Sequence, residues 1–174
     1  MNSKLQFPFD ELERDRKTLF QKLSNISSEK LNSNPIAEKW SINQILIHLL
    51  TSEQLTLTYL KKKSLGIDQL ANSGPIESVK MALLKISQRL PLIKYKAPKV
   101  LVENTPSPIP LPELIARWNL SRQELKNFLE TIHDRNLHKL IYKHPIAGRF
   151  DVVQSLTFLR EHFHHHLPQI ERLL

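Results

Sequence analysis

Four stretches of this 174-residue chain repeat apolar side chains every three or four positions, the spacing that lines up one face of an α-helix. Leu12, Leu19, Leu23 and Ile26 mark the first stretch, from about Phe9 to Ile26, and Ile42, Ile45 and Leu49 mark the second. Ile115, Trp118, Leu125, Phe128 and Ile132 form the third stripe; Leu156, Leu159, Phe163, Ile170 and Leu173 (or Leu174) form the fourth. No stretch asks for a β-sheet core, so the pattern predicts an all-α chain of four main helices.

The helix ends are written in capping chemistry. Ser41 followed three residues later by Gln44, and Asp151 followed by Gln154, have the form of reciprocal caps that satisfy the free amides of a helix start. Pro112 suits a first turn, where its missing N–H would be unpaired anyway. Lys61, Lys62 and Lys63 complement the negative end of the second helix before Gly66. The segment from Asn32 to Pro35 separates the first two helices. Gly74-Pro75 precedes a shorter extra helix whose inward stripe is expected at Val79, Leu83, Ile86 and Leu90. Five of the eleven prolines fall between Lys96 and Pro112, which predicts a long extended connection there rather than a helix. Pro168 falls inside the last helix, where a regular turn would lose a hydrogen bond at a cost of roughly 3 kcal/mol; a kink just beyond the histidines is expected.

Those histidines are the chemical signal of the chain. His162 and His166 are four apart on or beside the apolar stripe, so both imidazoles share one helix face. His48 follows Ile45 by three and also faces inward. Three imidazoles on two packed helices suffice to hold zinc, nickel or ferrous iron and leave a position open for water or substrate. His164 and His165 point away and read as solvated; His133 and His138 fall in charged, irregular sequence and read as exposed. His144-Pro145-Ile146-Ala147-Gly148 reads as a turn into the last helix, from which His144 could reach the same region. Glu53 and Glu161 are available to orient the imidazoles, though surface solvation is the simpler role for each. Trp40 and Trp118 read as core packing.

Three motifs in order, Trp40-Ser41-x-x-Gln44-x-x-x-His48, His144-Pro145-x-x-Gly148 and His162-x-x-x-His166-x-x-Gln169-Ile170, resemble the DinB-like superfamily of damage-inducible proteins, which includes the YfiT-type metal-dependent hydrolases. The resemblance runs from about Phe9 to the C-terminus. It implies a four-helix bundle holding a divalent metal through His48, His162 and His166, with the proline-rich segment as a crossover. Its implied activities run from thiol-dependent S-transfer and isomerisation to hydrolysis of a small-molecule substrate. A non-catalytic metal-binding or structural bundle stands as the alternative.

Composition limits the remaining choices. One domain spanning residues 1–174, with 40% hydrophobic residues, can bury a core without staples. No cysteine is present, so there is neither a disulfide nor a thiolate nucleophile, and a low-molecular-weight thiol cosubstrate would come from outside. The N-terminal residues lack the form of a signal peptide and no run of eighteen apolar residues occurs, so the expectation is a cytoplasmic protein with no membrane partner. The net charge of +8 includes Lys85, Arg89, Lys94, Lys96 and Lys99, but these lack the interleaved aromatics of a single-strand binding surface. Nucleic acid is not an expected partner. A homodimer is expected from the apolar bundle faces. No catalytic Ser/His/Asp signature, phosphate-cradling glycine loop or H-E-x-x-H motif is present.

Overall fold

The computed structural model describes residues 1–34, 40–89, 108–144 and 146–174. Helix α1 (Ser3–Leu23) starts upstream of the expected boundary because Asn2 caps it, its side chain accepting from the Lys4 amide, and because Leu5 and Phe9 extend the buried stripe of Leu12, Leu19 and Leu23. Ile26 lies beyond the helix end, partly buried against the core. A single turn of helix, α2 (Ser28–Asn32), capped by Ser27, buries Leu31 and is too short for periodicity to reveal. Pro35, expected to help break the chain here, lies outside the described residues.

Both reciprocal caps form as the sequence predicts. In α3 (Ile42–Ser64) the Gln44 amide donates to Ser41 Oγ at 3.2 Å, and the Ser41 amide donates to Gln44 Oε1 at 2.9 Å. Helix α4 (Pro75–Arg89) follows, and α5 (Leu111–Glu130) opens with Pro112 in its first turn. A short antiparallel hairpin, β1 (Tyr142–His144) with β2 (Gly148–Phe150), then delivers the chain to α6 (Val152–Glu171). Gly148 sits at φ +90°, a conformation that disfavours any side chain. The Asp151 cap closes with Gln154 at 2.7 and 3.1 Å, and α6 runs through Pro168 with His162 and His166 still on one face.

The four long helices close a ring of pairwise contacts: α1 lies against α6 and α5, and α3 lies against the same two. Helix α4 packs outside this ring on α6 and β2. Here the structure corrects the expected stripe. Val79, Leu83 and Ile86 are exposed, whereas Met81, Leu84 and Gln88 are buried. Helix α4 carries apolar residues on two faces, and only the Met81–Leu84 face meets α6. Leu90 and residues 96–107 of the expected connection lie outside the described residues.

Buried residues form two apolar groups, one around Leu60, Phe128 and Phe150, the other around Leu46, Trp118 and Phe163. Near Trp118 sits a charged contact between α3 and α5: Arg122 Nε stands 2.8 Å from Glu53 Oε1, and the Trp118 indole donates to Glu53 Oε2 at 3.1 Å. Burial pushes the Glu53 carboxyl up, opposed by Arg122 and by the Trp118 hydrogen bond. The expected partner for a buried indole is thus a carboxylate, and Glu53 is not the solvated side chain that its sequence position suggests. Removing one member of such a pair strands the other charge. Arg122→Met is therefore expected to destabilise the fold by about 3–5 kcal/mol, and the double variant Glu53→Gln/Arg122→Met to recover most of that loss in urea denaturation.

Candidate metal centre

The contact between α3 and α6 brings His48 onto the His162–His166 pair. His48 Nε2 and His162 Nε2 lie 3.2 Å apart, and the ring centroids are separated by 5.1 Å (His48–His162), 4.9 Å (His48–His166) and 4.9 Å (His162–His166). One nitrogen from each ring falls within 4.8 Å of the other two, a group able to hold a metal ion. His48 and His166 are buried and His162 is half-buried. All three positions expected from the sequence therefore meet at one point.

The surroundings orient the rings. The Trp40 ring packs 4.8 Å from His48, and Phe158 stacks on His162 at 5.7 Å with 14° between planes. His166 Nδ1 donates to Gln169 Oε1 at 3.2 Å, which leaves the Nε2 lone pair of His166 free to face the cluster. His48 Nδ1 is buried without a hydrogen-bond partner among the described residues.

Electrostatics keep the rings neutral. Burial, with His165 adding repulsion, holds His48 down at about 4; burial, with His48 and His165, holds His166 at about 3. His162 falls well below the ordinary 6.5 for the same first reason, with His166 and His48 adding repulsion. Lone pairs are consequently available throughout the neutral range.

Other residues singled out by the sequence take different places. His144 is 8% exposed at the end of β1, its ring 4.7 Å from that of Phe158. His133 and His138 are exposed, as expected. His164 and His165 are not simply solvated: His164 Nε2 lies 2.7 Å from Asp15 Oδ2, and His165 Nδ1 lies 2.7 Å from the Gln88 carbonyl oxygen. Burial opposes the Asp15 anion, but hydrogen bonds from Arg160 and His164 outweigh it and lower its carboxyl. Glu161 is buried and gripped by Arg89 through two hydrogen bonds of 2.8 and 2.9 Å, fastening α4 to α6. Neither Glu53 nor Glu161 orients an imidazole. That role falls to Gln169, whose signal was its spacing three residues beyond His166.

The sequence profile of the DinB superfamily matches residues 11–170. The chain belongs to the DinB superfamily. A relative, "Uncharacterized protein YuaE" of Bacillus subtilis (strain 168), is 25% identical over 154 residues, covering 88% of this chain and 89% of its own length. In this DinB-superfamily protein the histidine cluster thus lies inside the matched region, on its second and last long helices. No described helix is long and apolar enough to cross a membrane.

The neutral rings carry a pH consequence. Each has a folded pKa below the 6.5 of an ordinary histidine, so the unfolded chain binds more protons between the two values and acid favours unfolding. The stability is present above about pH 6.5 and is lost as pH falls toward the folded values. Metal-free protein is expected to show a falling Tm from pH 7 to 5, with a flatter profile in His48→Asn/His166→Asn.

Proposed function

We propose that this protein is a divalent-metal-dependent enzyme whose ion is held by His48, His162 and His166, and that it activates a water or an exogenous low-molecular-weight thiol for hydrolysis or S-transfer. The observation that carries this reading is the convergence of three uncharged imidazoles within 4.8 Å. Ligands about 2.1 Å from one ion stand roughly 3.0–3.4 Å apart at octahedral or tetrahedral angles, and the His48–His162 separation of 3.2 Å already has that value. Two facing Nε2 lone pairs at that distance repel unless a proton or a cation lies between them. A cation satisfies both, and it leaves His48 to carry its proton on Nδ1.

An all-nitrogen donor set suits zinc, nickel or ferrous iron. When bound, such an ion supplies Lewis acidity, lowering the pKa of a water or thiol at an open position. The protein's own contribution is positional. Gln169 holds His166 in the correct tautomer, and Phe158 and Trp40 fix two ring planes. Since the chain has no cysteine, any thiol in the reaction is a cosubstrate.

Tag-free protein is expected to carry about one divalent ion per chain by elemental analysis, with His48→Ala and His166→Ala nearly empty. Gln169→Ala is expected to weaken metal affinity about 10–100-fold, the usual effect of removing a ligand's orienting partner. Screening low-molecular-weight thiols against electrophiles, before and after chelation, then separates an enzyme from a non-catalytic metal-binding bundle. Wild-type protein that takes up no zinc, nickel or ferrous iron overturns the reading.

A further inference from the structure

The proton position of His144 is dictated by two backbone amides. Its Nδ1 accepts two hydrogen bonds, from the Ile146 amide at 3.1 Å and the Ala147 amide at 3.0 Å. A nitrogen that accepts has no proton, so the neutral ring must carry its hydrogen on Nε2. Burial holds the pKa of this ring at about 4, which keeps it neutral across the working range. Nε2–H makes no hydrogen bond among the described residues. A ring locked in this tautomer has no lone pair for a metal at Nε2. It is a fixed donor.

The ring is linked to the cluster through one aromatic side chain. The His144 ring stands edge-to-face on Phe158 at 4.7 Å, and Phe158 in turn stacks on His162. His144 is close enough that charge on it would oppose protonation of His162. The strand register pairs His144 with Gly148, and cross-strand partners project to the same face of the ribbon. A Cβ at Gly148 would meet Lys80 Nζ at 3.8 Å, so an ammonium lies on that face too, itself 3.9 Å from Glu77.

We propose that His144 is a substrate-binding residue: its backbone-locked Nε2–H donates a hydrogen bond to an anionic oxygen, carboxylate or phosphoryl in type, of a molecule seated at the His48–His162–His166 cluster. The proposal rests on reading that cluster as a metal centre. A donor whose direction is preset costs no reorganisation when charge arrives on the acceptor, which is what makes such a group useful at a reacting centre. The turn amides at residues 146 and 147 therefore serve the site by aiming the donor.

The test uses zinc-loaded full-length protein and acetohydroxamate, an anionic oxygen chelator, as the probe. Asn at position 144 can keep an acceptor for the turn amides but has nothing at the Nε2 position. Gln extends an amide to the Nε2 position but leaves the turn amides unsatisfied. His144→Asn is expected to retain fold and zinc stoichiometry and to bind acetohydroxamate about tenfold more weakly, the effect of one lost hydrogen bond. His144→Gln is expected to keep affinity while lowering Tm. Independently of any metal, long-range proton–nitrogen NMR is expected to show the Nε2–H tautomer of His144 from pH 5.5 to 8. An Nδ1–H tautomer, unchanged affinity in His144→Asn, or no acetohydroxamate binding by zinc-loaded wild type overturns the role of His144 alone. Failure of the wild type to load zinc, nickel or ferrous iron removes the metal centre and this proposal together.

Discussion

Three converging imidazoles can be buried together only while they stay uncharged, and the packing of α3 on α6 depends on that condition. Protonating one ring would place a cation beside two others in a space already desolvated. The helix pair supplies the remedy through its own geometry: lone pairs turned inward, with the Nδ1 proton of His166 turned outward to Gln169. What holds this arrangement is the position of α6, pinned at its start by the Asp151 cap and along its outer side by the Glu161–Arg89 clamp. The hairpin that precedes α6 brings His144 to the same region through its contact with Phe158.

Much of this frame is legible in the amino-acid sequence. Ser41 with Gln44 and Asp151 with Gln154 announced two helix starts because capping is local chemistry, decided by residues three apart. The inward side of His48, His162 and His166 followed from neighbours at helical spacing on long helices. Helix α4 escaped this logic because it carries two apolar faces, and periodicity cannot say which one a distant helix will cover. The same limit applies to Glu53 and Glu161. A carboxylate looks solvated in sequence unless its arginine is known, and Arg122 and Arg89 come from 69 and 72 positions away. His164 and His165 read as solvated for the same reason, since Asp15 and the Gln88 carbonyl are partners that only the fold introduces.

Membership of the DinB superfamily, shown by the match over residues 11–170, is consistent with a division of labour in the molecule. The long helices present the imidazoles, whereas the turn at residues 146–148 and the Gln169 amide set proton positions on His144 and His166. Ring orientation is thus governed by few polar atoms, each contributing one or two hydrogen bonds. Changes in these supporting atoms would alter the chemistry of the cluster without touching an imidazole.

The charged contact of Arg122 with Glu53 has a further consequence for how the helices can move. Apolar side chains are interchangeable along a groove, so a bundle held by leucines alone tolerates axial slippage and competing alignments. Sliding α5 past α3 by one helical turn, about 5.4 Å, would pull the guanidinium from its carboxylate and separate two buried charges. That pair therefore acts as a key in a keyway, admitting a single longitudinal setting of the two helices.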